Sequence, residues 1–396
     1  MEVNAIAVPA PGEPSAQSSA PPISPPAEKP PRSQRFVFLD GLRGIAALMV
    51  VVTHFYTMNI LHPQLSRIVP TFIEYLVSTW FLGVPIFFVL SGFVIAYSQR
   101  GVQVTPRFLG NFALRRSLRL DPPYWIAIFL TALMNFVLRP VMEHPWPVPG
   151  VLNSLTNMFY LQGILRSPII VGPSWTLCFE VQFYLSLTIL VGISQYLPGA
   201  GKAMLGWRSA TLIPLFVPLA IASIWVAIRG DQIAWMPAYW WMFFLGVLLW
   251  WRMNKLVSEA WLWLYMAVIA VTLCRGITGY NSVALLTGLA IYFASKTGGL
   301  MTWLRWRWVQ FFGTISYSLY LTHDLFAPLA FLGKRVFPGS LWGAYLTIAV
   351  AFGLSVGFAY LMYRFVERTG IALGDRFKMR RGPVPVAELS LPANGG

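Results

Sequence analysis

The stretch Leu39-Asp40-Gly41-Leu42-Arg43-Gly44-Ile45-Ala46-Ala47-Leu48-Met49-Val50-Val51-Val52-Thr53-His54 decides the fold class. It has the apolar character of a membrane-crossing helix, yet it opens on an arginine and carries a histidine far inside. An ionisable side chain in a bilayer is costly and marks a functional site by default. Arg43 and His54 are eleven residues apart. On a helix this is about three turns and about 16 Å along one face, so one residue stands at the mouth of the span and the other inside it.

The rest of the 396-residue chain repeats that character: 57% of its residues are hydrophobic, only 11% are charged, and its mean hydropathy is +0.62. Soluble proteins carry about 25% charge. The expected class is an all-α polytopic membrane protein with about ten transmembrane helices and both termini cytoplasmic. The spans are expected near 41–61, 79–98, 121–139, 174–196, 210–228, 236–251, 260–275, 280–295, 308–332 and 340–364. Segment 151–165 is too short to cross and reads as interfacial or re-entrant.

Residues 1–34 are rich in Pro, Ala and Ser and lack the apolar core of a signal peptide. They read as a disordered cytoplasmic tail. Residues 35–370 read as the transmembrane domain and 371–396 as a polar cytoplasmic tail.

The net charge of +15 raises the question of nucleic acid, but the arginines lie between apolar spans, not on a soluble face. With the N-terminus inside, 22 of the 29 Lys and Arg fall on the cytoplasmic side, which is the positive-inside bias. No nucleic-acid partner is expected. Cys178 and Cys274 sit in apolar segments and read as packing residues. Four histidines without a cysteine cluster argue against structural zinc, and no metal site is expected.

Five polar features stand out. In the first, His54 suits a general base, since its ordinary pKa is near working pH and burial favours the neutral form. The second is Arg115-Arg116-Ser117-Leu118-Arg119: Arg116 and Arg119 share a helix face, and guanidinium groups bind phosphate bidentately. Pro122-Pro123 is expected to stop that helix and start the next span. The third, Ser174 to Tyr184, puts Glu180 about two turns into the membrane from the outer face, at the depth of His54 reached from the inner one. The shared depth points to a composite site in which the two could meet. The fourth, Ser91-Gly92, reads as a small-residue packing face, with ligand contact second. In the fifth, Ile315 to Asp324, His323 and Asp324 read as an internal polar network, and Glu367-Arg368 reads as an interfacial ion pair.

Together these residues resemble the membrane-bound acyltransferase-3 family, which modifies bacterial envelope polysaccharides and some small molecules. The resemblance covers roughly 35–370. Arg43 and His54 meet its Arg-x10-His pattern, and Arg116 and Arg119 its Arg-x-x-Arg pattern. The phenylalanine-rich span ends in Ser91-Gly92-Phe93. Trp175 to Glu180 match Trp-Ser-Leu-x-x-Glu, with Thr176 in place of Ser. Ser316 to His323 match Ser-Tyr-Ser-Leu-Tyr-Leu-x-His. Thr369 replaces the usual proline after Glu-Arg, and Asp121 stands where an apolar residue is common.

The resemblance implies an O-acyltransferase of the bacterial inner membrane, multi-pass, with His54 catalytic and Arg43, Arg116 and Arg119 serving the donor. Glu180 then orients His54 or accepts a hydrogen bond from the acceptor, and Ser91, Trp175, Thr176, Tyr184, His323 and Glu367 are further candidates. No permanently bound cofactor is expected. The donor is acyl-CoA, most simply acetyl-CoA, and the acceptor a polysaccharide (such as lipopolysaccharide) or lipid-linked sugar. With about 30 residues after the last span, the chain is expected to finish the transfer itself or hand over to a separate extracytoplasmic protein. The alternatives are O-acylation of a small molecule such as a macrolide, and a secondary transporter or exporter.

Overall fold

The computed structural model describes residues 35–57, 70–71, 74, 82–138, 149–196, 209–229, 236–273 and 279–377. The expected N-terminal tail, Cys274 and residues 378–396 lie outside them. Among the described residues there are helices and turns and no strand. The helices are α1 (Val37–Thr57), α2 (Gly83–Ser98), α3 (Pro106–Leu138), α4 (Val151–Met158), α5 (Ser174–Tyr196), α6 (Ser209–Arg229) and α7 (Trp240–Met253). They continue with α8 (Glu259–Leu273), α9 (Gly279–Lys296), α10 (Gly299–Thr302), α11 (Arg307–Thr322), α12 (Leu329–Val336), α13 (Leu341–Met362) and α14 (Arg368–Asp375).

Each of the ten expected segments carries a helix. Four stretches, Val37–Tyr56, Pro106–Val137, Gly172–Tyr196 and Leu341–Asp375, are long and apolar enough to cross a membrane. Gly83–Ser98, Leu215–Arg229 and Glu259–Leu273 are apolar but shorter. Segment 151–165 holds only the short α4, whose Val151, Leu152 and Leu155 are exposed.

Helix directions follow from which ends touch. In α1 and α2, Phe36 meets Tyr97 while Gly83 meets Ala46, so the pair is antiparallel. Between α2 and α5, Ser91 bonds Glu180 and Gln99 bonds Thr188, so that pair is parallel. Phe88 with Tyr239 and Tyr97 with Trp250 make α2 and α7 parallel as well. Gly44 lies on Gly313 and His54 on His323, which makes α1 and α11 parallel.

Two crossings rest on glycine. A methyl on Gly92 would stand 1.8 Å from the Phe243 carbonyl oxygen, and one on Gly246 would stand 1.9 Å from that of Val89. The sequence reading of Ser91-Gly92 as a close-packing face is met here, since α2 and α7 touch backbone to backbone. The α1–α11 crossing is similar: a methyl on Gly313 would be 2.2 Å from the Asp40 carbonyl. Gly246→Val is expected to destabilise the protein by about 3 kcal/mol or more, because backbone cannot yield as a side chain does. Gly353, with nothing within 4 Å of an added methyl, is the control. Gly353→Ala is expected to leave the thermal unfolding midpoint of the purified protein unchanged or raise it.

Two sequence expectations are corrected. Pro122-Pro123 does not stop a helix, for α3 runs unbroken from Pro106 to Leu138. The prolines forgo the hydrogen bonds their N–H groups would make to the carbonyls of Leu118 and Arg119, and the helix continues through them all the same. Gly370 of α14 packs onto the Leu118 carbonyl, and Tyr317 donates to that of Leu120 at 2.6 Å. Asp121, unexplained by the family pattern, accepts from Ser117 and, at 2.9 Å, from Tyr160, tying the α4 segment to α3.

The expected ninth span, 308–332, is also not one helix. Helix α11 ends at Thr322, a 3-10 turn covers His323–Phe326, and α12 begins at Leu329 after Pro328. Pro328 has no N–H for a helical bond back to Asp324, and the resulting break turns His323 and Asp324 towards α1.

Candidate active site

The site has two poles along α1. At the far pole, His54 Nδ1 lies 2.6 Å from His323 Nε2, and the rings stack with centroids 4.9 Å apart. Asp324 Oδ1 flanks both nitrogens, 3.2 Å from His323 Nε2 and 3.6 Å from His54 Nδ1. His323 is fully buried, whereas His54 and Asp324 are each 24% exposed, which leaves the first inaccessible and the other two reachable from outside. His323 Nδ1 points at the Leu319 carbonyl oxygen, 3.2 Å away. The other carboxylate oxygen of Asp324 rests on Gly172, where a methyl would be 2.5 Å from it.

A second layer holds the 3-10 turn in place. Tyr320 and Thr176 share a hydrogen bond of 2.8 Å, and the Tyr320 hydroxyl donates to the Pro173 carbonyl at 3.2 Å. Phe87 meets the Tyr320 ring edge-on. Beside His54 is a small recess walled by Phe55, Phe326, Ala330, Thr347 and Ala351.

His54, His323 and Asp324 offer three ligand atoms within 4.8 Å of one another, which also suits a metal ion. The inner separation favours a proton. Two tetrahedral ligands each about 2.0–2.1 Å from a metal stand about 3.3 Å apart, and 2.6 Å between the nitrogens is a short hydrogen bond.

The near pole gathers charge. Arg43, Arg116 and Arg119 interact electrostatically with one another and with Glu180 or Glu367. Arg119 Nη2 is 3.5 Å from Glu367 Oε1, and Ser318 donates to Glu367 Oε2 at 2.9 Å. Among the described residues neither Arg43 nor Arg116 sits in an ion pair. The Nε of Arg119 is buried without an acceptor, so three guanidinium groups meet with donors to spare. Arg116 lies over the Phe112 ring, and Tyr184 packs edge-on against the same ring. Trp175 stands among Phe88, Phe179 and Tyr239.

The meeting of Glu180 with His54 does not occur. Glu180 accepts from Ser91 at 2.9 Å and faces the arginine pole. Residue counts along α1 and α5 do not tell which pole Glu180 joins, because that depends on how the two helices pack. Nor is Glu367 paired with Arg368. Adjacent helical residues point apart, and the π turn Tyr363–Glu367 brings Glu367, 2% exposed, onto Arg119. Asp324, absent from the candidate residues, stands in the first layer around His54. Its signal was an acid directly after a histidine within an apolar run.

A family profile described as Acyltransferase domain matches residues 36–364. Acyltransferase MdmB of Streptomyces mycarofaciens is 29% identical over 174 residues, covering 43% of this chain and 42% of that one. Protein 2 in the picA locus of Rhizobium radiobacter is 31% identical over 173 residues, covering 39% of this chain and 80% of that one. YrhL of Bacillus subtilis strain 168, whose name points to peptidoglycan O-acetylation, is 26% identical over 412 aligned positions. That match covers 87% of this chain and 56% of YrhL. The chain thus spans about two fifths of MdmB and just over half of YrhL. No solved structure matches.

Proposed function

The chain belongs to the acyltransferase family whose profile covers residues 36–364, and from that premise we propose that it is a multi-pass O-acyltransferase of the bacterial inner membrane. It moves an acyl group, acetyl first, from acyl-CoA to a hydroxyl of a cell-envelope or exported glycan or lipid-linked sugar. The observation that carries the reading is the pairing of poles on α1. Arg43 and Arg116, without ion-pair partners among the described residues, face a phosphate-sized demand for charge. About three helical turns away stands a histidine whose Nε2 makes no hydrogen bond among the described residues. The alternation of helix directions supports ten crossings with both ends on the arginine side. Between the poles, about 16 Å is spanned by an extended thioester arm.

In this reading the donor phosphates meet Arg43, Arg116 and Arg119, and the thioester reaches His54. His54 takes the proton of the acceptor hydroxyl, whose oxygen attacks the thioester carbonyl. Ser91 and Glu180 border the path between the poles. We place the acyl group at the small recess beside His54, whose walls, apolar but for Thr347 and His54 itself, offer a sugar little to bond. Phe326→Ala is expected to raise the ratio of butyryl to acetyl kcat/KM about tenfold, the scale set by a methylene or two in an apolar pocket. An unchanged ratio removes the recess as the acyl site.

Two measurements test the function itself. Purified protein should release free thiol from acetyl-CoA when supplied with acceptor glycan. Mass analysis of envelope glycans should show loss of one acetyl mass in cells lacking the protein. A small-molecule acceptor is the second reading, and thiol release without any glycan difference would favour it. Absence of thiol release together with transmembrane movement of a solute would favour a transporter.

A further inference from the structure

We infer that His323 and Asp324 are positioning residues that hold His54 as a base: His323 fixes which ring nitrogen of His54 carries the proton, and Asp324 stabilises the cation formed when His54 accepts another. The inference rests on the acyl-transfer reading for its chemistry, and its proton placement rests on the nitrogen and oxygen distances together with a neutral His323. The Leu319 carbonyl oxygen can only accept, so His323 Nδ1, 3.2 Å from it, carries a hydrogen. A neutral His323 then presents a lone pair at Nε2. That atom is 2.6 Å from His54 Nδ1, a distance that requires one proton between them, and the proton belongs to His54 Nδ1. Neutral His54 therefore has its lone pair at Nε2, which makes no hydrogen bond among the described residues.

The reaction then balances without any further reagent. The acceptor O–H proton passes to His54 Nε2 as the oxygen forms its bond to the thioester carbon. The imidazolium so formed is hydrogen-bonded to His323, and the Asp324 carboxylate lies within 3.2–3.6 Å of the two nitrogens that share its inner proton. When the tetrahedral intermediate collapses, the carbon–sulfur bond breaks, and the thiolate leaves with the proton from His54 Nε2. The arrangement has the logic of a carboxylate-oriented histidine in acyl transfer, with a second imidazole interposed. Gly172 admits the Asp324 side chain, since any larger residue there would displace its Oδ2.

The experiment combines a spectrum with kinetics. The chain has four histidines, so 15N-histidine labelling of the whole protein gives few signals, and the set lost in His54→Ala identifies His54. In the unaltered protein His54 is expected to be protonated at Nδ1 and bare at Nε2. In His323→Leu it should revert to the Nε2–H form common in water. Asp324→Asn is expected to lower kcat about 100-fold with KM for acetyl-CoA unchanged, and Asp324→Glu should recover part of the loss.

A proton on His54 Nε2 in the unaltered protein overturns the inference, and that result needs no variant to fold. Wild-type kcat in Asp324→Asn overturns the part assigned to the carboxylate. If the unaltered protein releases no thiol from acetyl-CoA, the acyl-transfer reading fails while the nitrogen spectrum still decides the proton placement.

Discussion

His54→Ala is expected to lower acyl transfer by about 10²–10⁴-fold, the contribution of a positioned general base, while the protein still folds and inserts. The fold does not lean on this side chain. Helix α1 is held by Gly44 against Gly313 and Gly41 against Leu304 and Val309, and by Ala46, Ala47 and Val51, all fully buried. His54 itself is partly exposed, and its loss removes one hydrogen bond, the one to His323 Nε2, so the cost in stability is about 1 kcal/mol. The check is acetyl-CoA-dependent acetylation by purified protein beside its thermal unfolding curve. A folded variant with undiminished transfer would remove His54 from the chemistry. His54→Gln, which keeps the volume without the base, should be as inactive as the alanine variant.

The second large effect separates ligand binding from architecture among the arginines. Arg116→Ala is expected to raise KM for acetyl-CoA about 10–100-fold with kcat nearly unchanged, because a hydrogen bond to a charged group contributes about 1.5–3 kcal/mol. Arg116 has no carboxylate at ion-pair distance among the described residues, so its removal orphans nothing in the protein. Arg119→Ala is expected to behave differently. Glu367 is 2% exposed and has Arg119 as its cationic partner, and stripping one member of a buried pair costs about 3 kcal/mol or more. That variant should show a lowered unfolding midpoint before any kinetic change can be read. Equal effects of the two substitutions on KM, with no difference in stability, would contradict this division.

Much of the site was legible in the sequence because it lies on one helix. The stripe from Arg43 to His54 follows from 3.6 residues per turn and needs no tertiary knowledge. Charge and hydropathy place the arginines at span ends for the same reason: the bilayer sorts side chains by depth, and depth runs along the chain. Ser91-Gly92 was legible as a packing face because small residues in an apolar run have few other uses.

What a side chain touches across a helix gap is not written locally. His54 finds its partner 269 positions away, and the rival Glu180 turns instead to Ser91 and the arginines. The break at His323 and the π turn before Arg368 decide which way Asp324 and Glu367 point, and each is a rotation about a helix axis that hydropathy does not encode. Pro122-Pro123 shows the same limit in reverse. A local rule predicts a helix end there, yet α3 continues through both prolines, packed against Tyr317 and Gly370 of distant helices.

That this is an apolar helical membrane chain, and which family it joins, is written in the sequence. Those follow from transfer free energy and helical period, which act on each segment separately. Only the tertiary structure decided that His54 stands with His323 and Asp324, and Glu180 with the arginine pole. That choice depends on how the helices rotate to bring Gly44 onto Gly313 and Gly92 onto Phe243, a property of the packed bundle rather than of any one span.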